Sequence, residues 1–518
     1  MAGVEKKPCC PRLIYNSDGD STTLLAFPPP ITPEQACRDI EELVGTRVEV
    51  FTNSMGRGDE TFSHPTDFGD IYGAGVSEWP EGENVAWVRI MAENTRALLD
   101  AGINIIDLLA ERAHERGLQF WPALRMNDIH EDDGSRFAAA FRSSFKKRHP
   151  ELLIGSPYPQ KHGYGYPQDD FTWAFDFARE EVRQRKLGLI LETCQNYDVD
   201  GFELDFQRGA WYFKDGQEGE GLPLMTDFMR QVREKTGAIA ARKGRPFTLM
   251  LRVPPTVEKC RAIGLDVPTW IKEELADLFI LMDKTYLDMG ADIRGFVELA
   301  QGTCCKIGGG LEHICRGYGD KRSIPAGSDI LYAGALSYWH QGASCIYLFN
   351  YDCHRLAGGD FSYTPDEYQV LREIHDPELI ARKNKRYWVT VDLNAHTPAQ
   401  GGLMPLPVEL AKAGAGQNFN IWIGDDIEGA KSERALDDIW LRLTCSGYEP
   451  EAIDFGGALN GIPLAEAHCL ETPRCTTLTY RDIAPLQGEN QLTLSLERLA
   501  PGRGPLRIET IELVITYK

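Results

Sequence analysis

Eight short β-rich apolar runs, separated by helical patterns, constrain this chain more than any other feature. They are "RLIYN" (12–16), "RVEVFT" (47–52), "LQFWPAL" (118–124), "VDGFELDF" (199–206), "FTLMLRV" (247–253), "DLFILM" (277–282), "CKIGGG" (305–310) and "SCIYLFN" (344–350). Between them lie amphipathic stretches such as "MAENTRALLDAGINIIDLLAERAHERG", whose apolar residues recur at three- and four-residue steps, as on one helix face. Strand–helix alternation repeated eight times predicts a (β/α)8 barrel, here over residues 1–384. The glycine-rich "CKIGGG" carries the weakest strand signal of the eight.

After "RYWVTVDLN", near residue 385, the period changes. Short strands such as "FNIWIGDD", "ENQLTLSLERL" and "LRIETIELVITYK" alternate polar and apolar residues. Period two with turn-rich gaps predicts an antiparallel β-sandwich over residues 385–518, packed on the barrel as an accessory domain.

Two connections are too long for simple βα turns, at 53–89 and 126–175. Both are rich in Gly, Pro, His and aromatics; long loops in a compact domain are usually functional or disordered, and the aromatic content argues against disorder. They are expected to wall a pocket at the C-terminal face, with Tyr164, Tyr166 and Trp173 as candidate packing residues.

Composition excludes some partners. With 518 residues and 42% apolar content the chain has ample core, and its net charge of −22 argues against nucleic acid and anionic membranes. No run approaches the roughly 18 apolar residues of a membrane span. The stretch "MAGVEKKPCCPRLIYNSDGD" lacks an apolar signal core, so the expected compartment is the cytoplasm, or export with the signal removed. The 13 cysteines read as mostly reduced, and Cys9–Cys10 and Cys304–Cys305 lack zinc-type spacing. No cofactor and no metal are expected, and the composition is compatible with a homodimer.

Barrel chemistry collects where strands end and βα loops begin. Strand 1 ends at Asn16, Asp18 and Asp20, strand 3 at Arg125, Asn127, Asp128 and His130, and strand 4 at Glu203, Asp205 and Arg208. Strand 5 ends at Arg252, strand 6 at Asp283 and Lys284, and strand 8 at Asn350 and Asp352. The repeated change from apolar to ionisable at one end points to an active-site cleft. Asp18 and Asp20 flank Gly19, where an aspartate can also just shape a turn. Glu203 and Asp205 share a strand face, where one can serve as a buried partner holding an arginine. Asp200 reads as structural. Asp128, two residues before His130, can orient the imidazole and raise its pKa for acid–base work. Arg125 and Arg208 suit a bidentate carboxylate clamp, or ion-pair scaffolding.

The stretches "NSDGDS", "LRMNDIH" and "EEVRQRKLGLILETCQNYDVDGFELDFQRG" resemble barrel glycoside hydrolases, specifically the inverting exo-sialidases of glycoside hydrolase family 156. The resemblance spans roughly residues 12–352, and the C-terminal sandwich fits it. It implies release of terminal sialic acid from sialoglycoconjugates. Asp18 would match the carboxylate that activates water, and His130 the catalytic histidine with Asp128 as dyad partner. Arg125 and Arg208 would bind the sialic acid carboxylate, and Asn350 would contact substrate; Asn127, Glu203 and Asp205 complete the expected substrate-facing set. The implied partner is a sialic-acid-terminated glycan. An inverting route needs a base and an acid on opposite ring faces. Asp18 as base and His130 as acid is one assignment, and the reverse is open.

Three other readings compete. One is a glycosidase of other specificity using Glu203 or Asp205 as catalytic carboxylates. Another is a metal-dependent hydrolase built from Asp18, Asp128, His130 and Asp205, against which the lack of an HxH pair counts. The last is a sugar-binding protein on a barrel scaffold.

Overall fold

The computed structural model describes residues 10–518 apart from 59, 77, 80–82, 131–140, 156–170, 210, 283–285, 288, 318–322, 358–361, 390–405, 466 and 473. Tyr164, Tyr166, Asp283 and Lys284 lie outside the described residues.

Eight parallel strands close a barrel: β1 (Leu13–Ser17), β2 (Val50–Ser54), β3 (Gln119–Arg125), β4 (Gly201–Asp205), β5 (Thr248–Val253), β6 (Leu278–Leu281), β7 (Lys306–Glu312) and β8 (Cys345–Phe349). Each pairs with its sequence neighbours, and β8 pairs with β1 to close the ring. All eight expected runs are strands. The glycine-rich one is a strand because space demands it. A Cβ on Gly309 would lie 2.2 Å from the Tyr338 ring, and one on Gly310 would lie 2.5 Å from Met282 Sδ. Only a bare backbone fits between the covering helix and the barrel interior.

Helices cover the strands as the apolar spacing requires. Helix α1 (Glu180–Asn196) buries Val182, Leu187, Leu189, Ile190 and Cys194. Helix α2 (Glu218–Lys243) buries Met225, Phe228, Met229, Val232 and Ile239, and ends at Gly244 in the left-handed conformation. Helix α3 (Ser328–His340) is buried nearly all round, from Ile330 to Tyr338. It lies between β7 and the C-terminal sheets, where Ser337 Oγ donates to the Trp422 carbonyl at 3.0 Å. Among the described residues no helix is long and apolar enough to cross a membrane.

The C-terminal sheets begin with β9 (Lys385–Val389), where the sequence period changes. A six-stranded antiparallel sheet is centred on β12 (Leu436–Ser446) and β18 (Leu506–Tyr517), with β10 (Val408–Leu410) beside β18. A second sheet of four strands contains β11 (Gly416–Ile423), β13 (Ile453–Leu459), β14 (Ile462–Pro463) and β17 (Gly488–Leu499). Between β14 and β17 the chain adds β15 (His468–Glu471) and β16 (Thr476–Tyr480) to the larger sheet. Among the described residues no two cysteines form a disulfide.

Inside the barrel, Ile14, Val50, Trp121, Met250 and Cys345 belong to an apolar plug towards the strand starts. Towards the strand ends the inward positions turn polar. Register places Arg125 beside Asp205 and Asp205 beside Arg252, one charged layer across β3, β4 and β5.

Candidate active site

Asp18 follows β1 and is held by a forced turn. Gly19 has φ +91°, and a Cβ there would lie 2.2 Å from the Ser54 carbonyl oxygen, so the chain crosses the end of β2 only with glycine. The Asp18 backbone N–H donates to Asp352 Oδ1 at 3.2 Å, and Ser21 Oγ donates to Asp18 Oδ2 at 2.6 Å.

From Asp18 a chain of alternating charges crosses the barrel mouth. Arg57 Nη2 binds Asp18 Oδ2, and Asp20 Oδ1 at 2.7 Å. Arg125 Nη2 binds Asp18 Oδ1, and its Nη1 lies 3.4 Å from Asp128 Oδ2. Asp128 Oδ1 accepts from His130 Nδ1 and, at 3.3 Å, from the His130 backbone N–H. Arg208 Nη2 lies 3.4 Å from His130 Nε2. A guanidinium can only donate, so Nε2 accepts and the imidazole proton resides on Nδ1, facing Asp128. The structure thus brings together Asp18, Arg125, Asp128, His130 and Arg208 from the ends of three strands.

Electrostatics separates the members of this cluster. Burial opposes charge on Asp18, but Arg57 and Arg125 override it and hold its carboxyl well below the usual range. Burial likewise opposes ionisation of Asp128, and His130, Arg125 and Arg208 reverse the effect, so Asp128 is firmly ionised. Asp20 is pushed up to about 6 by burial, with the Asp18 charge adding to the shift against the pull of Arg57. His130 is lowered to about 4, mainly by burial, with Arg57 and Arg208 adding to it against Asp128. In the unliganded site His130 is therefore neutral at pH 7. Its side chain keeps 24% exposure, against 4% for that of Asp128.

Arg208 differs from the other two arginines of the mouth. Among the described residues no carboxylate lies within ion-pair distance of its guanidinium, although its backbone N–H donates to Asp205 Oδ1 at 3.2 Å. Burial and the neighbouring Arg125 charge lower its pKa.

Three expected substrate contacts are corrected. Asn127 is fully buried: its amide nitrogen donates to the Phe175 carbonyl at 3.0 Å and to that of Trp211, and its oxygen accepts from the Phe175 N–H at 2.9 Å. With both ends committed to backbone it ties loops together. Asp205, 2% exposed, accepts from Arg252 Nη1 at 2.9 Å on both oxygens, and its Oδ1 also accepts from the backbone N–H groups of Gln207 and Arg208. It is the buried partner of an arginine that the strand-face spacing allowed. Glu203 is fully buried inside the barrel and accepts from Tyr347 OH at 2.7 Å. Burial and the Asp205 charge push its carboxyl up to about 7.

The other expected residues occupy separate places in the barrel. Asn350 has φ +48°, donates its backbone N–H to Asn16 Oδ1 at 3.1 Å, and has a buried side-chain oxygen with no hydrogen-bond partner. A strained non-glycine residue at a strand end is a frequent mark of functional sites. Asp352 is fully buried behind Asp18, where burial and the charges of Asp39 and Asp18 raise its pKa well above the usual range. Asp200 accepts from the Phe120 N–H and pairs with His114 at 2.8 Å, a structural role. Trp173 packs under the Arg142 guanidinium, 3.5 Å from the ring centroid.

Arg57 was missed by sequence reasoning. Its long loop was expected to wall a pocket, but nothing in "NSMGRGDE" marks that arginine as the partner of Asp18 and Asp20. Among the described residues no group of three or more His, Cys, Asp or Glu side chains is arranged to hold a metal ion.

The chain matches no protein-family profile and no curated protein. Among solved structures it is similar to a cycloisomaltooligosaccharide glucanotransferase from Paenibacillus sp., at 9% identity and TM-score 0.35, over 97% of this chain and 57% of that one. It is similar to α-L-fucosidase isoenzyme 2 from Paenibacillus thiaminolyticus, at 14% identity and TM-score 0.40, over 78% of this chain and 51% of that one. A maltogenic α-amylase from Thermotoga neapolitana gives 12% identity and TM-score 0.37, over 96% of this chain and 98% of that one. The chain spans little more than half the length of the first two. At these scores the barrel rests on its own strand pairing.

Proposed function

We propose that this protein is an inverting glycoside hydrolase acting on a sugar that carries a carboxylate beside the reacting carbon, as in a sialoside. Arg208 is the observation that carries the reading. It is a half-buried cation at the mouth, 3.4 Å from His130 Nε2, with no carboxylate within ion-pair distance among the described residues. A substrate carboxylate supplies the missing anion, and Arg125 at the adjacent strand end, already paired with Asp18 and Asp128, adds positive charge beside it. The resemblance of "NSDGDS" and "LRMNDIH" to family 156 exo-sialidases supports the same substrate class.

In this reading Asp18, ionised and fixed by two arginines, activates the water. It also stabilises the positive charge of the oxocarbenium-like transition state. His130 protonates the leaving oxygen. It is neutral in the empty site, and a bound carboxylate raises its pKa by screening Arg208 and Arg125. Binding of the anionic sugar therefore takes up a proton. Calorimetric titration of sialic acid in buffers of different ionisation enthalpy checks this: proton uptake supports the coupling, and none at pH 6–7 counts against His130 as the acid.

Glu203 carries the second reading, a glycosidase of the same barrel type acting on another sugar. A carboxyl held at about 7 suits a general acid, though this one is fully buried beneath the mouth. Parallel assays of a fluorogenic sialoside and of neutral fluorogenic glycosides separate the two readings.

A further inference from the structure

A separate cleft has none of the residues of the mouth's charge chain in its lining. It holds about 630 Å³ of free volume between the start of α3, the helix α4 (Pro365–Glu373) and the residues leading into β9. That is within the ordinary range for a small-molecule site.

Its polar groups alternate in kind. At the start of the thirteen-residue α3, Gly327 caps the helix without a side-chain bond; the Ile330 N–H donates to the Gly327 carbonyl and Asp329 Oδ1, so the donors at this helix start are the backbone N–H groups of Ser328 and Asp329. Lys383 adds a cation, ion-paired with Glu373 at 2.9 Å. Against these donors stand the acceptors Asp366 and Glu367 at the first turn of α4. His354 is 5% exposed and lines the cleft. Its Nδ1 lies 3.4 Å from Glu367 Oε1, so the proton faces that carboxylate and Nε2 is an acceptor. That Nε2 is buried beneath the cleft surface and has no hydrogen-bond partner among the described residues. Pro325, Leu331 and Tyr332 supply an apolar wall.

An anion here would meet Asp366 and Glu367, and a cation would meet the helix start and Lys383. A hydroxyl group both donates and accepts, and a sugar ring adds a C–H face for the apolar wall. We propose that this cleft is a second, non-catalytic binding site for a neutral mono- or disaccharide. The proposal rests on the cleft alone and stands whether or not the mouth hydrolyses sialosides.

Ligand-observed NMR on the full chain tests it, with N-acetyllactosamine and maltose as neutral probes and inorganic phosphate as the anionic one. Saturation transfer to at least one neutral probe is expected. Asp366→Ala removes an exposed acceptor and S328W fills the cleft; each is expected to weaken that binding at least about tenfold. Asp366 is exposed on a helix start, so its replacement leaves the fold intact even where the indole at 328 does not. Turnover at the mouth is expected to be unchanged in both. The proposal is overturned by absence of transfer to both neutral probes, by binding that Asp366→Ala leaves unchanged, or by displacement of the sugar by phosphate.

Discussion

Two sets of charged side chains share the interior of this barrel, and they differ in closure. The inner set is Glu203, Tyr347, Asp205 and Arg252. Its acids are at most 2% exposed, Arg252 is fully buried, and each acid has a partner within the set. The Arg252 guanidinium also stacks 3.7 Å from the Phe349 ring centroid. The mouth set runs from Asp20 through Arg57, Asp18, Arg125, Asp128 and His130 to Arg208. It ends on a half-exposed imidazole and a guanidinium that no described carboxylate pairs. Both sets combine carboxylates with arginines, and both draw on β4 and its end, which carry Glu203, Asp205 and Arg208. The inner set leaves Glu203 Oε2 without a hydrogen-bond partner among the described residues, but that atom is buried, so what separates a scaffold from a candidate site is an unfinished pairing that faces outward.

The sharpest way to break this comparison is to remove one member of each set. His130→Ala should lower kcat by about a hundred- to ten-thousand-fold, the usual scale of general acid–base catalysis, with Tm unchanged. Comparable activity in a folded His130→Ala protein would move the chemistry out of the mouth. Asp205→Ala should act on stability instead. It strands the buried Arg252, which costs about 3–5 kcal/mol, read as a lowered urea midpoint at unchanged slope.

The pH profile sharpens the roles within the mouth. If His130 is the acid, only its protonated form works. With a free-enzyme pKa of about 4, kcat/KM should fall as pH rises through that value. The kcat profile should turn at higher pH, since bound carboxylate raises the histidine. A kcat/KM that rises through about 4 and then stays flat would remove His130 as the acid, because its deprotonated form would then be the active one. Smaller still is the effect expected of Arg208→Lys, which keeps charge but loses the planar fork. KM for a sialoside should rise about tenfold, about 1.4 kcal/mol of binding, with little change for neutral glycosides. Glu203→Gln keeps the bond from Tyr347 and should change turnover least of all. A large loss of activity there, in a folded protein, would favour the second reading.

The barrel was legible because each strand is a short apolar run and each covering helix has a clear stripe, as in Met225, Phe228, Met229 and Val232. Even Gly308 to Gly310 fitted, although their reason for being glycine appears only once Tyr338 and Met282 are in place. The turn from apolar to ionisable at strand ends located the mouth. It did not tell pairing partners apart. Asp205 and Asp128 each follow an apolar strand and look equivalent in sequence, yet one closes on Arg252 and the other holds His130. That difference depends on which neighbouring strand carries the facing arginine. Asn127, between two expected site residues, turns away to bond backbone carbonyls from two distant segments. Arg57 reaches Asp18 from a loop whose path no local pattern specifies.

Hydrolysis of a sialoside followed by proton NMR addresses the proposed reaction and its stereochemistry in a single trace. Release of free sialic acid, appearing first as the anomer inverted relative to the substrate, is expected. An unchanged sialoside in a sample that cleaves a neutral glycoside would contradict the assignment of Arg208 and Arg125 to a substrate carboxylate.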